Sequence, residues 1–533
     1  MRDDFNANIA GYRRKGKKIF IQIDALPYEM LLRAIDRGYT PFLKKLINKK
    51  GYTVNKIFSE LPSNTPAAEM KIMYGIKNWI KGFRWYNKKE KRHYNFKNPL
   101  TANYFEEKAE KFTEKPILKN GASYITFYSA GAKRTILTFS RGLKIDVNKS
   151  ITNNKIWQFI LINTDFLIKV TIDVVEELLK EGLKFIKYIL IKKRKIRGLL
   201  FPYVRIVNNV LFRHIATMGS ILEMNEGVER IYLVYNGYDE VAHQLGADAT
   251  ESLKTLKKID KSIMNIYKTA TKKGYELYIF SDHGQTNSIP FEEYYGILLT
   301  NYIKQEISKD IGISEYSSDN ENRKELHLYF LDKIFKTVSE LNHKIINKII
   351  KKFLKKTNEN IKNENEIIEN DIIVTNSGPL SHIYFLEEEN RMLKDEIIEY
   401  FPEIIDKIFL HNGIEFGVVK TKYGFEIKGR KGKIELNNEF EIVNETGNLF
   451  KNILRNIKKE TIISSLKEIS CGENVGDLII FGALLKNNLI INFENQYGGH
   501  GGIGGMQNFP FLIANKELEK DKKSISNLYE IFK

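Results

Sequence analysis

One cysteine, Cys471, stands among 533 residues. A single thiol excludes an internal disulfide and any cysteine-built metal cluster, and it suits a reducing compartment such as the cytoplasm. No run of about 18 uncharged apolar residues occurs, so no membrane-spanning helix is expected. Behind the basic stretch Arg13–Lys18 the apolar run is only Ile19-Phe20-Ile21 before Gln22 and Asp24, which is too short for a signal peptide. A P-loop is missing as well. The glycine-rich stretch Gln496–Gly505 lacks the Lys-Ser/Thr pair and the strand-to-helix context of that motif. Acidic residues are the scarcer charge: 84 Lys and Arg against 66 Asp and Glu leave a net charge of +18. That balance favours anionic partners such as phosphates, nucleic acid or acidic lipid, and it equally fits a lysine-rich solvated surface.

What is present is a recurring pattern of apolar strand followed by chemistry-bearing residues. Tyr275–Phe280 is apolar, β-prone and broken only by Glu276, and it ends in Ser281-Asp282-His283-Gly284. In open α/β sheets reactive groups collect at the carboxyl ends of strands, where an Asp-His pair is placed to hold a metal. A plain Asp-His-Gly turn fits the same residues. Ile19–Asp24 reads as a first strand ending in a carboxylate. Ile231–Tyr235 is another apolar strand, followed by Gly237 and then by Asp239 and His243, four apart on one helical face. Leu253, Leu256, Ile259, Ile263 and Ile266 form a helical stripe leading into the Tyr275 strand. The order strand, pair, helix, strand, pair predicts a βαβ unit with parallel strands and both pairs on one sheet edge.

The rest of the chain supplies scaffold and insertions. Tyr28–Asn48 predicts helix, turn, helix, restarted at Thr40-Pro41. Residues 121–141 read as core strand and turn, with Lys133 and Arg134 at the surface. Residues 151–215 read as a helical insertion, a cap over or beside the site, whose run Lys192-Lys193-Arg194-Lys195 would offer peripheral contact to an anionic membrane. Residues 301–370 read as a second helical excursion and polar loop. On this reading the catalytic core comprises 1–150, 216–300 and 371–533, with core strands resuming at Asp371–Thr375 and Ser381–Phe385. Gly417–Lys428 and Lys433–Leu436 form a hairpin region turning at Gly429–Gly432. His382 reads as a packed or supporting histidine. Thr65 precedes Pro66, a residue favoured in the first turn of a helix, so its hydroxyl fits either a helix cap or a nucleophile. His500 sits among six glycines in Gln496–Gly505. Asp24, Thr65, Asp239, His243, Asp282, His283 and His500 thus form an oxygen and imidazole set without sulfur. Such a set suits Zn²⁺, or else Mn²⁺, better than Mg²⁺ or Ca²⁺.

These segments also carry a family resemblance. Asp24 after the first strand, Pro62-Ser63-Asn64-Thr65-Pro66 running on to Gly75, Tyr238-Asp239-Glu240-Val241-Ala242-His243, Ser281-Asp282-His283-Gly284 and Gly498-Gly499-His500-Gly501-Gly502 together resemble the alkaline phosphatase superfamily. Within it they look most like bacterial type I phosphodiesterase/nucleotide pyrophosphatases, from about Lys18 to Ile513. The resemblance implies an α/β sandwich with helices on both faces of a mostly parallel sheet. It implies two divalent ions, one held by Asp239, His243 and His500 and one by Asp24, Asp282 and His283. It also implies Thr65, rather than Ser63, as a nucleophile that is transiently phosphorylated, and a phosphorylated small molecule or nucleotide as substrate. Many relatives carry a phosphate-binding Asn downstream of the nucleophile. Here that position falls on Tyr86, with Asn87 beside it, so these two are the expected substrate contacts. The competing expectations are a phosphomonoesterase or phosphonate hydrolase on the same core, and a basic binding protein without catalysis. Sulfatase is disfavoured, since Thr65-Pro66-Ala67-Ala68 lacks the Cys/Ser-x-Pro-x-Arg segment.

Overall fold

Alternation along one short strand explains the architecture. In Lys18–Ile23, residues Ile19, Ile21 and Ile23 belong to one apolar core, while Phe20 belongs to a second core on the opposite face. A strand buried on both faces must be covered by helices on both. The computed structural model describes residues 16–113, 115–142, 168–179, 205–307, 311–318, 370–451, 453, 457–519 and 522–533. Among them, the central sheet has seven strands in the order Thr53–Lys56, Phe511–Ala514, Glu276–Phe280, Lys18–Ile23, Arg230–Tyr235, Ala122–Tyr124 and Arg134–Ile136. Only Phe511–Ala514 runs against the rest. The expected βαβ unit is present, with Lys18–Ile23 lying between its two parallel strands.

One face is closed by Thr250–Lys273, whose predicted stripe from Leu253 to Ile266 is buried in the first core. The other face receives Thr65–Tyr74, buried along its whole length. The helix pair Tyr28–Asp36 and Pro41–Lys50 forms as its spacing predicts. Its second member is capped from a distance. Thr40 makes no capping bond, and Asp260 on the long helix accepts from Phe42 N and Leu43 N at 2.9 Å each. A carboxylate at a helix N-terminus satisfies free N–H groups and complements the dipole.

The chain after residue 371 departs from the expected core. Ile372–Ser377 and Leu380–Phe385 do not return to the central sheet. They join an eight-stranded sheet in the order Ile313–Tyr316, Ile372–Ser377, Leu380–Phe385, Leu478–Gly482, Ile414–Thr421, Gly424–Gly429, Gly432–Asn437 and Ile442–Gly447. All neighbours in it are antiparallel except the first pair. Where strands follow one another at short intervals, as from Ile372 to Phe385 and from Ile414 to Gly447, hairpin connection makes them antiparallel. The predicted hairpin is present, with Gly429 paired to Gly432 across a two-residue turn. The central sheet is regained only at Phe511–Ala514.

Of the two insertions, residues 168–179 are helical and Val207–Phe212 makes a π-helical turn running into Arg213–Glu226. The run Lys192-Lys193-Arg194-Lys195 and most of 319–370 lie outside the described residues. Arg134 is paired with Glu223 and Glu226, and Lys133 is exposed. Among the described residues no helix is long and apolar enough to cross a membrane.

Candidate metal centre

Three neighbouring parallel strands end at one level and hand over their next residues to the site. Asp24 follows Lys18–Ile23, Asp282 and His283 follow Glu276–Phe280, and Asp239 and His243 lie on Gly237–Leu245, the helix after Arg230–Tyr235. Thr65, at the start of its helix, reaches Asp24 and His283, and His500, on the glycine-rich loop, lies between His283 and His243. Two triads result, Asp239–His243–His500 and Asp24–Asp282–His283, with ligand atoms in each within 4.8 Å of one another. The rings of His283 and His500 stack at 4.1 Å between centroids, which joins the triads into one cluster.

The hydrogen bonds fix which nitrogen of each histidine faces inward. Nδ1 of His243 donates to Gly498 O at 2.9 Å, Nδ1 of His283 to Gly284 O at 2.9 Å, and Nδ1 of His500 to Ser63 O at 3.1 Å. A carbonyl only accepts, so each Nδ1 carries the proton and each Nε2 presents a lone pair. His500 Nε2 and His243 Nε2 face each other at 3.1 Å, with Asp239 Oδ1 3.3 Å from the second. Two lone pairs and a carboxylate at such distances repel unless a cation lies among them.

The carboxylates tell the same story. Burial, then the neighbouring charges of Asp282 and Asp239, hold Asp24 well above the usual carboxylate range. Burial also raises Asp282, against the pull of His283, and its Oδ2 has no hydrogen-bond partner. For Asp239 burial is outweighed by His243 and then His500, and its pKa falls. Burial, followed by His283, drives His500 well below the usual imidazole value. Histidines that turn Nε2 inward, with Asp24 and Asp282 held above the usual carboxylate range beside them, are a donor set that divalent metals complete, so the residues fit the implied ions.

Thr65 and Ser63 separate clearly. The helix cap is neither of them: Asn64 Oδ1 accepts from Ala67 N at 3.0 Å. Thr65, freed from capping, places Oγ1 3.1 Å from both Asp24 Oδ1 and His283 Nε2. Ser63 Oγ donates to Gly502 O at 2.9 Å and accepts from Gly501 N at 3.1 Å, which binds the loop before Thr65 to the glycine-rich loop. Glycine is required where the loops touch. A Cβ on Gly498 would stand 2.3 Å from Ala242 O in the His243 helix, and one on Gly501, at φ +110°, would stand 2.4 Å from Ser377 O.

Tyr86 and Asn87 lie on the hairpin Arg84–Asn87/Arg92–Asn95. Asn87 Oδ1 accepts from Glu90 N and shapes the turn, while the Tyr86 ring packs edge-on against Tyr384. His382 is bonded on both nitrogens, to Lys81 O and Gly476 N, and lies apart from either triad. Gln285 was not foreseen. It is fully buried, and its Nε2 donates to Asp239 Oδ1 at 3.0 Å, orienting that carboxylate. Its position just after the Asp-His pair was the available signal.

A family model described as type I phosphodiesterase/nucleotide pyrophosphatase matches residues 18–374. The chain belongs to that family. It is accordingly a metal-dependent hydrolase of phosphoester bonds. Among solved structures, phosphonoacetate hydrolase from Sinorhizobium meliloti 1021 in complex with phosphonoformate aligns with a TM-score of 0.50 at 11% identity, covering 97% of this chain and 95% of that one, and shares the fold. Murine ectonucleotide pyrophosphatase/phosphodiesterase 5 aligns at 0.42 and 10% identity over 97% and 93%. No curated protein sequence matches this chain.

Proposed function

We propose that the chain hydrolyses phosphodiester or pyrophosphate bonds with two divalent ions, Zn²⁺ before Mn²⁺, and with Thr65 as nucleophile. The observation that carries this reading is Thr65 Oγ1, 3.1 Å from Asp24 Oδ1 and from His283 Nε2, at the helix N-terminus beside two ligand triads. Asp24, Asp282 and His283 would hold one ion and Asp239, His243 and His500 the other. Bound there, such ions would supply Lewis-acid stabilisation of a phosphoryl oxygen and favour the ionised hydroxyl.

The protein's own groups do the rest. The hydroxyl of Thr65 donates to Asp24 Oδ1, which gives its proton a direction of departure. Oγ1 attacks phosphorus in line, an Oγ1–P bond forms, and the ester oxygen leaves with the bonding pair. Water then attacks the phosphothreonine and restores the hydroxyl. The positive end of Thr65–Tyr74 faces the phosphoryl group. Pro66 has no N–H and Ala67 N is taken by Asn64, so the Thr65 N–H remains as the first-turn donor.

Metal analysis of the loaded protein should give two ions per chain, and bis(p-nitrophenyl) phosphate should be turned over faster than p-nitrophenyl phosphate or phosphonoacetate. A preference for the monoester or the phosphonate would replace this reading with one of those competing hydrolases, and one ion per chain would overturn the two-ion mechanism for all of them.

A further inference from the structure

The helix layer over the first core carries uncompensated charge on its outward side. Thr250–Lys273 and Pro41–Lys50 both bury apolar residues in that core and touch each other, with the rings of Phe42 and Tyr267 5.3 Å apart. Their remaining sides therefore face away from the central sheet together. On the long helix Lys254, Lys257, Lys261, Lys268 and Lys272 are exposed, three, four or seven positions apart, and exposed Asn265 fills the one gap. They form a single row along the helix, about 27 Å from end to end. The shorter helix adds exposed Lys44, Lys45, Lys49 and Lys50.

A solvated helix surface ordinarily mixes signs, because like charges three or four positions apart repel and opposite ones attract. Here the mixing is absent. Pro41–Lys50 contains no acidic residue, and Thr250–Lys273 contains two: Glu251 in the first turn and Asp260, which is buried and caps the shorter helix. Among the described residues none of the nine lysines forms an ion pair, and Lys257 lies over the Tyr39 ring at 5.1 Å. Lys49, Lys50 and Lys272 stand in last turns, where a cation complements the helix dipole. The others gain nothing from it. The whole chain has 84 Lys and Arg to 66 Asp and Glu, a ratio that does not produce so one-signed a face by itself.

We infer that this face docks nucleic acid through its phosphate backbone. The row matches about eight successive phosphates of one strand, and lysine with asparagine, here Asn48 and Asn265, holds phosphate and sugar without reading sequence. A bilayer of acidic lipid is the other extended polyanion. A helix seated on a bilayer turns an apolar face toward it, whereas both helices here spend their apolar faces on the core and no exposed position of either is a large apolar residue. The row begins near the metal centre: Gly237–Leu245, which carries Asp239 and His243, leads through 246–249 into Thr250. Lys254 thus lies toward the ligand edge of the sheet and Lys272 toward the opposite edge. The docking goes beyond the hydrolase reading and stands without it.

The full-length protein would be titrated into end-labelled duplex DNA, single-stranded DNA and RNA, read by fluorescence anisotropy between about 50 and 200 mM salt, with gels verifying that each probe stays intact. At least one probe should bind, and its affinity should fall steeply with salt. Lys45→Gln, Lys254→Gln, Lys261→Gln and Lys268→Gln combined should weaken that binding at least about tenfold and flatten the slope of log K against log salt by about three. The control combines Lys89→Gln, Lys91→Gln, Lys119→Gln and Lys133→Gln, which removes the same charge from positions exposed elsewhere and should cost less than about threefold. Melting curves verify both folds. Equal binding of the three probes would assign the bare backbone, and preference for one would assign that polymer. Binding of none, binding indifferent to salt, or equal losses in the two variants would overturn the inference. So would co-sedimentation with phosphatidylserine vesicles that depends on the first four lysines while no nucleic acid binds, since the face would then belong to a membrane.

Discussion

The two sheets treat buried histidine in opposite ways. In the antiparallel sheet His382 is fully buried and both ring nitrogens are bonded, Nε2 donating to Lys81 O at 2.9 Å and Nδ1 accepting from Gly476 N at 3.3 Å. At the edge of the parallel sheet His243, His283 and His500 each spend one nitrogen on a carbonyl; His243 and His500 aim the other at each other, and His283 aims it at Thr65 Oγ1 and the Asp24 and Asp282 carboxylates. Charged groups follow the same division. Buried Asp477 accepts from Phe385 N, Met392 N and Lys88, and buried Arg84 pairs with Glu494. Burial raises all three carboxyls, but Asp477 has Lys88 beside it, whereas Asp24 has the carboxylates of Asp282 and Asp239. A buried polar group left short of partners is destabilising, and a scaffold avoids it. Where a fold tolerates several at one point, the missing partner is a ligand.

The comparison is broken most severely at Thr65. Thr65→Ala should lower phosphodiester hydrolysis at least about a thousandfold, equivalent to roughly 4 kcal/mol of barrier, while metal analysis still finds two ions per chain. Thr65→Ser should keep part of the activity. Near-parental rates in Thr65→Ala would show that the attacking group is something else.

Next comes the contact that holds the triads together. Gly498→Ala places a Cβ 2.3 Å from Ala242 O, which must push the glycine-rich loop away from the His243 helix. A displacement of about 1 Å at one ligand should cost about a hundredfold in rate and weaken retention of one of the two ions. Measured metal content equal to that of the parent, with unchanged activity, would mean that the loop yields without moving His500.

The scaffold histidine gives a smaller effect, read in stability rather than rate. Burial lowers the pKa of His382 to about 3, so it is neutral in the folded protein, whereas in the unfolded chain it takes up a proton near its usual value. Its contribution is therefore fully present above about pH 6.5 and is lost as pH falls from there toward the folded value. Between pH 7 and 5 the loss should be about 2 kcal/mol. Chemical denaturation at the two pH values, compared with His382→Gln, checks this, and an equal pH dependence in both proteins would discount the residue.

How much of this was legible beforehand differs between the same two regions. The strand-then-ligand pattern around Asp24, Asp239, His243, Asp282 and His283 is local in sequence, and a parallel sheet brings such segments to one edge by rule. His500 was placed by resemblance, since nothing in six glycines says which strand they approach. The second sheet was not legible because Ile372–Ser377 and Leu380–Phe385 are as apolar as central strands, and periodicity does not reveal which sheet receives them. The cap at Asn64 was hidden because Asn, Thr and Ser all cap helices, and only the backbone decides which of three adjacent candidates does so. Gln285 escaped because its role depends on a partner 46 positions away.

The smallest effect concerns Ser63, the other hydroxyl of the loop that carries Thr65. Its oxygen lies between Gly501 N and Gly502 O, and its own N–H and C=O meet Gly501 O and the His500 ring. Every one of these contacts runs to the loop that carries His500, and none to the phosphoryl side of Thr65. Ser63→Ala removes two hydrogen bonds to backbone groups but keeps the two main-chain bonds, so the loops stay in register. The expected cost is about 1 kcal/mol of stability, together with a rate decrease below about tenfold, since Thr65 and all six ligands keep their supports. Denaturation curves and kcat/KM on one diester measure both. A rate loss comparable to that of Thr65→Ala, with metal content intact, would transfer the nucleophile to Ser63 and reverse the assignment made from the helix terminus.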